Sequence, residues 1–267
     1  QGALDNTTSR TLTTAVSDGT LSASATSTIN FTAVNDAPVA AASTVTTIVE
    51  DVVSGSNPGT LVSALVTDFT DADSGAVKGI AVTAVVTTNG TWYYSTNAGG
   101  AWTTLTGVST SAARLLKGDD ANYKVRFVPT ADFNGTATLT YQAWDQTSGT
   151  AGSTAAVTTN GGSTAYSSNT GTGTITITAV NDAPTVTAPA SFALTEDVAG
   201  NLTYTGTPFA DADSATLTVT LSVTDGTITG NEGTGITVAG SATARTFAGT
   251  VAALNTYFTT AGSITYQ

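Results

Sequence analysis

Residues 32–38 read Thr-Ala-Val-Asn-Asp-Ala-Pro, and residues 178–184 repeat the same seven letters. Each copy follows an alternating, β-branched run, Ser27-Thr28-Ile29-Asn30-Phe31 or Thr174-Ile175-Thr176-Ile177, a pattern that suits a pleated strand. Each is followed by an acidic pair at one spacing: Glu50-Asp51 begins 14 positions after Asp36, and Glu196-Asp197 begins 14 positions after Asp182. Both copies then reach an identical Asp-Ala-Asp-Ser, at 71–74 and 211–214. Chance does not give that concordance, so the chain carries an internal repeat. The proline that ends each heptapeptide cannot donate to a sheet ladder and holds the residue before it extended, which suits a strand leaving one domain for the next.

Working outward from these junctions gives three segments. One complete module spans about residues 37–182, and its turn signals include Asn89-Gly90, Gly99-Gly100, Asn134-Gly135 and Gly161-Gly162. Short strands at that spacing predict a β-sandwich. Residues 1–36 hold two strands, around Thr11–Ser17 and Ser22–Val34, joined by Asp18-Gly19; they read as the C-terminal strands of a truncated module. Residues 183–267 read as the N-terminal part of another, and their last letters, Ile264-Thr265-Tyr266-Gln267, match Leu139-Thr140-Tyr141-Gln142 of the complete module. The expectation is an all-β rod of tandem immunoglobulin-like modules, alternating about 121 and about 146 residues. Its truncated ends would be completed by neighbouring repeats or by copies of the chain placed head-to-tail.

Composition narrows the function. Thr and Val dominate many stretches, and only 10% of residues are charged. A net charge of −12 with seven Lys and Arg argues against a nucleic-acid partner, because phosphate neutralisation needs cations. No apolar stretch reaches membrane-spanning length, and the N-terminal residues do not have the pattern of a signal peptide. With no His and no Cys, the nucleophile–histidine arrangements, the disulfides and the usual zinc ligands are all excluded. The chain is not expected to be an enzyme. A carboxylate-pair glycosidase is disfavoured because the acids sit in repeated loops beside the junctions.

Those acids form the chemistry-bearing pattern. Ten of the 19 fall in the two copies: Asp36, Glu50, Asp51, Asp71, Asp73, then Asp182, Glu196, Asp197, Asp211 and Asp213. No Lys or Arg lies between Arg10 and Lys78 or between Arg126 and Arg245. Carboxylates gathered without counter-charge repel, and they raise their pKa or bind a cation. Hard oxygen donors favour Ca²⁺ over transition metals. The candidate ligands are Asn35, Asp36, Glu50, Asp71 and Asp73 at one junction and Asn181, Asp182, Glu196, Asp211 and Asp213 at the other. Asp18, Asp132 and Asp145 lie in turns that sequence alone does not place relative to them.

The Asn-Asp-Ala-Pro linker, the early Glu-Asp, the Asp-Ala-Asp and Phe133-Asn134-Gly135 together resemble the bacterial cadherin-like and VCBS-type repeats of large surface adhesins and biofilm proteins. The resemblance covers essentially the whole chain. It implies extracellular modules at the cell surface, adhesive or filament-forming, with calcium between them. Eukaryotic cadherins carry a longer linker of the form Asp-x-Asn-Asp-Asn; its end positions are here Ala33 and Ala37, and Ala179 and Ala183, which implies one or two ions per junction. A second reading concerns Trp92-Tyr93-Tyr94 and Trp102, separated by a turn that resembles an Asp-box hairpin. These aromatics are either a stacking platform for a cell-surface or matrix glycan or a cross-strand pair that stabilises the hairpin.

Overall fold

The computed structural model describes residues 7–267. Its regular structure is almost wholly strand, in several sheets with very little helix, and the chain divides into two compact units between Ala179 and Val180, inside the second heptapeptide.

Unit 1 opens with an antiparallel hairpin of β1 (Arg10–Ser17) and β2 (Ser22–Ile29), a two-stranded sheet in which every residue is exposed. The remainder of the unit contains β3 (Ser43–Thr44), β4 (Ile48–Val49), β5 (Thr60–Leu61), the short helix α1 (Val62–Leu65), β6 (Gly79–Val85), β7 (Gly90–Ser95), β8 (Thr103–Thr104), β9 (Ala113–Lys117), β10 (Lys124–Pro129), β11 (Gly135–Trp144), β12 (Thr154–Ala155) and β13 (Tyr166–Thr178). One sheet has the order β5-β10-β7-β8. The other runs β12-β9-β6-β11-β13-β3, with β4 also on β13. Trp92, Val125 and Phe127 of the first sheet share one core with Ile80, Val82, Leu139, Tyr141, Ile175 and Ile177 of the second. At about 1.5–3 kcal/mol for each fully buried large side chain, that core dominates over the two-residue ladders at its rim.

Two sequence features shape the larger sheet. Strands β6 and β9 carry apolar residues on both faces because a second cluster, with Leu115, Trp144, Val157 and Tyr166, covers their outer side. In β13, Gly171 stands opposite Tyr141 and Gly173 opposite Leu139. A Cβ at Gly171 would collide with the Tyr141 ring and the Ala41 carbonyl. Glycine there lets residues 41–44 run beside β13 in parallel, where Tyr141 Oη donates to Ala41 O at 2.9 Å.

Unit 2 comprises β14 (Thr185–Val186), β15 (Gly200–Asn201), β16 (Phe209–Ala210), β17 (Thr216–Ser222), β18 (Ile228–Gly230), β19 (Ile236–Ser241), β20 (Ala244–Thr250), α2 (Val251–Thr259) and β21 (Ile264–Tyr266). Its small sheets are β14-β16, β15-β21-β18 and β17-β20-β19. Phe209, Phe247, Leu254, Tyr257, Phe258 and Ile264 make its core, with Phe258 edge-on to both Phe209 and Phe247. Helix α2 departs from the all-β expectation. Its signal is Thr250, whose hydroxyl accepts from Ala253 N at 3.1 Å, followed by apolar residues on one face at Leu254, Tyr257 and Phe258.

The pairing corrects one sequence equivalence. Strand β21 pairs with β15 and β18 as β10 pairs with β5 and β7. Tyr266 faces Gly200 as Val125 faces Thr60, and Gly200 and Thr60 each stand 11 positions before their Asp-Ala-Asp-Ser. Ile264–Gln267 therefore takes the place of β10, not of Leu139–Gln142. The shared Thr-Tyr-Gln letters misled because alternating β-branched and aromatic residues suit any half-buried strand. Among the described residues, unit 2 has no counterpart of β11 or β13.

Candidate metal site

In unit 1 the bridge between Val39 and Thr70 fixes the site. It sets Asp36, three residues before Val39, beside Asp71, the residue after Thr70. Asp71 Oδ1 accepts from the Asp73 backbone N–H at 2.9 Å, and Asp73 Oδ2 accepts from the Asp36 N–H at 2.9 Å. The fourth carboxylate comes from the end of β11. Asp145 is buried; its Oδ1 accepts from Thr147 N at 2.8 Å and Oγ1 at 2.6 Å, while Oδ2 accepts from Asn35 Nδ2 at 2.8 Å. Asn35 Nδ2 also reaches Thr164 O at 3.2 Å, just before β13.

The electrostatics are those of an uncompensated cluster. Asp71 Oδ2 is buried and accepts no hydrogen bond. Burial pushes the Asp71 carboxyl above its usual pKa of 3.8; the Asp73 N–H opposes this, and the negative charges of Asp73, Asp145 and Asp36 reinforce it. Backbone N–H groups stand between the carboxylates. Four carboxylates, an orphaned oxygen and no nitrogen or sulfur donor have the donor chemistry that a hard divalent cation requires, and Asp36, Asp71, Asp73 and Asp145 are the residues of unit 1 that would hold one.

Unit 2 repeats the bonds of Asn35, Asp36, Asp71 and Asp73. The Asn181 amide donates to Asp182 O at 3.0 Å, Asp182 N to Asp213 Oδ2 at 2.6 Å, and Asp213 N to Asp211 Oδ1 at 2.9 Å. The ladder of β14 and β16, Thr185 opposite Ala210, stands where unit 1 has its bridge. Among the described residues of unit 2, no carboxylate takes the place of Asp145.

Within unit 1 the structure does not bring Glu50 to the cluster of Asp36, Asp71 and Asp73, nor within unit 2 Glu196 to that of Asp182, Asp211 and Asp213. Glu50 is buried beside β4; its N–H donates to Thr178 O and its Oε2 accepts from Asn134 Nδ2 at 3.1 Å. Thr178 ends the 13-residue β13, whereas Asn35 and Asp145 bond at residues 164 and 165 just before it, so ~40 Å of strand separates them at about 3.3 Å per residue. Glu196 is exposed and lines a cleft with Tyr266 and Gln267. Asp132, at φ 58°, is an exposed turn residue ahead of Asn134.

The aromatic hairpin also differs from both expectations. Trp92 is fully buried against Phe127, at 5.3 Å between centroids. Trp102 lies under the Arg126 guanidinium, 4.2 Å from the ring, and the strand register sets Tyr93 opposite Thr104. Period-2 alternation sends Trp92 inward, so the two tryptophans form neither a common glycan platform nor a cross-strand pair. The intervening turn is held by Asn97 Oδ1, which accepts from Ala101 N at 2.8 Å and from the Ser95 hydroxyl at 2.9 Å.

No family model, curated protein or solved structure matches the chain. No helix among the described residues is long and apolar enough to cross a membrane.

Proposed function

We propose that this chain is a structural or adhesive repeat region of a secreted bacterial surface or filament protein, in which Ca²⁺ bound at each junction cluster stiffens the linker. The observation that carries the reading is Asp71: a carboxylate oxygen buried without a donor, beside Asp36, Asp73 and Asp145. A bound Ca²⁺ would supply positive charge and further coordination to such oxygens. The duplicated bonding around Asp182, Asp211 and Asp213 is consistent with it, since the same acidic turn is presented at the second junction. The two shared-core sheets of unit 1 fit an immunoglobulin-like or cadherin-like sandwich. Without His or Cys, and with its acids in repeated turns, the chain is read as non-enzymatic. Nothing in the hairpin geometry favours glycan binding, since Trp92 is buried.

Calcium at millimolar concentration is expected to raise the melting temperature, and EDTA to lower it and to speed protease cutting around Asn35–Pro38 and Asn181–Pro184. Equal melting and cleavage in calcium and in EDTA would refute the reading.

A further inference from the structure

We infer that the outer face of the sheet β5-β10-β7-β8 carries an oxyanion site, in which Arg126 and Lys124 hold a carboxylate or sulfate group beside Trp102. Strand β10 supplies both cations. Val125 and Phe127 belong to the shared core, so period-2 alternation sends Lys124 and Arg126 outward. Arg126 is nevertheless only 8% exposed. Three elements cover it. The Tyr93 ring, opposite it on β7, stands 5.3 Å from the guanidinium, and the Trp102 ring stands 4.2 Å from it. The turn at 54–57 closes a third side: Nη1 donates to Ser54 O at 2.9 Å and to Asn57 O at 3.4 Å, and Nη2 donates to Ser54 Oγ at 3.1 Å. Gly59, at φ 67°, admits the indole, because a Cβ there would strike Trp102 and the Val125 carbonyl.

The donors do not balance. A guanidinium has five N–H hydrogens and no acceptor, and the protein takes three of those on Arg126. Nε is buried and donates to nothing, and one hydrogen of Nη2 is left over. Nε and Nη2 share one edge of the planar group, an edge that can grip a carboxylate or a sulfate through two parallel bonds. Lys124 Nζ donates to Pro58 O at 3.4 Å and has two further hydrogens to offer.

The charge does not balance either. Burial pulls the Arg126 pKa below its ordinary value; the Tyr93 phenol opposes this, and among the described residues no carboxylate does. A buried charge without a counter-ion is costly, and stacking on aromatic rings returns part of that cost. The cleft beside the guanidinium, about 380 Å³, is lined by Ser54, Gly99 and Trp102 together with the two cations, and no acid lines it. In a chain of net charge −12 with seven Lys and Arg, two of the seven thus meet at one acid-free cleft. Its volume admits a sulfate or a small carboxylate. An oxyanion there neutralises Arg126, takes up the spare hydrogens of its Nε–Nη2 edge and draws a further bond from Lys124. Since Nε is buried, closing the second bond requires the Trp102 ring to shift, and its indole therefore reports binding. The site lies wholly within unit 1 and does not rest on the cation reading above.

The test is titration of the full, ¹⁵N-labelled chain in calcium-free buffer with sulfate, with acetate and with chloride at matched ionic strength. The readouts are the Arg126 Nε–H and Trp102 indole N–H resonances. Sulfate, acetate or both are expected to shift these two saturably, while the indoles of the buried Trp92 and Trp144 stay in place. Lys124→Gln, at a half-buried position, is expected to fold as the wild type does and to weaken binding about tenfold, the effect of losing one charge-assisted bond. Saturation by acetate alone makes the ligand group a planar carboxylate, and saturation by sulfate alone makes it tetrahedral; either upholds the site. Shifts that chloride reproduces at equal ionic strength reflect screening and overturn it, as does a titration that Lys124→Gln leaves unchanged. An Arg126 Nε–H that responds to no anion also overturns it and leaves the guanidinium as a clamp on residues 54–57.

Discussion

Asp71 is the side chain with most to gain from a cation, and its titration has a definite sign. Burial, with Asp73, Asp145 and Asp36 nearby, raises its pKa on folding above the usual 3.8. Between the ordinary value and the raised one the folded chain holds more protons than the unfolded chain. The contribution of Asp71 to ion-free stability is therefore greatest at low pH and falls as pH rises through that window. Asp71→Asn removes both the titration and the repulsion. In EDTA at neutral pH the variant is expected to melt above the wild type, with the gap closing as pH falls below the carboxylate range; in millimolar calcium the order reverses. Melting followed by circular dichroism at several pH values checks this, and a wild type that melts above the variant in EDTA at neutral pH would contradict it. The repeated Asn-Asp-Ala-Pro and Asp-Ala-Asp-Ser motifs make Asp36, Asp71 and Asp73 readable in the sequence. Asp145 is not, because it reaches Asn35 across 110 residues of chain and only the pairing of β11 and β13 places it.

At the scale of elements, what the sequence showed and what it hid divide by range. Alternation and turn glycines are local signals, and they mark the strands and the all-β class. Register is not local. The Thr-Tyr-Gln of β21 has the letters of β11 and the partners of β10, and Trp92 lies on the opposite face of β7 from the surface that holds Trp102. The repeat sets Glu50 at the same spacing as Glu196, yet within unit 1 β13 carries it to the far end from Asp71, where its carboxylate accepts from the Asn134 amide. Gly171 is a further case: its Thr-Gly-Thr-Gly context looks like turn material, but it lies mid-strand where a side chain would meet the Ala41 carbonyl and the Tyr141 ring. Overpacking at such a site costs about 1–3 kcal/mol. Gly171→Ala is expected to lower the urea midpoint of unit 1 accordingly, while Gly162→Ala, in open space but at φ 59°, costs less. Equal midpoints for wild type and Gly171→Ala would show that the β3–β13 contact bears little of the stability.

For the molecule as a whole, the repeat that organises the sequence also organises the structure, though with unequal completeness. Unit 1 holds two sheets around a shared core; unit 2 has the same acidic turn and the same opening ladders, but an exposed β17 edge and a strandless stretch at 187–199. Residues 1–6 of the segment assigned to a truncated module lie outside the described residues, while β1 and β2 form its two expected strands. The central claim is that the clusters are cation sites and not decorated turns. Isothermal titration of calcium into the full chain, compared with Asp71→Asn plus Asp73→Asn, tests it most directly. Saturable binding in the range of extracellular modules, about 10⁻⁴–10⁻³ M, is expected, with the double variant losing the unit 1 site and keeping that of Asp182, Asp211 and Asp213. Absence of saturable binding by the wild type, or an isotherm that the double variant leaves unchanged, would contradict it.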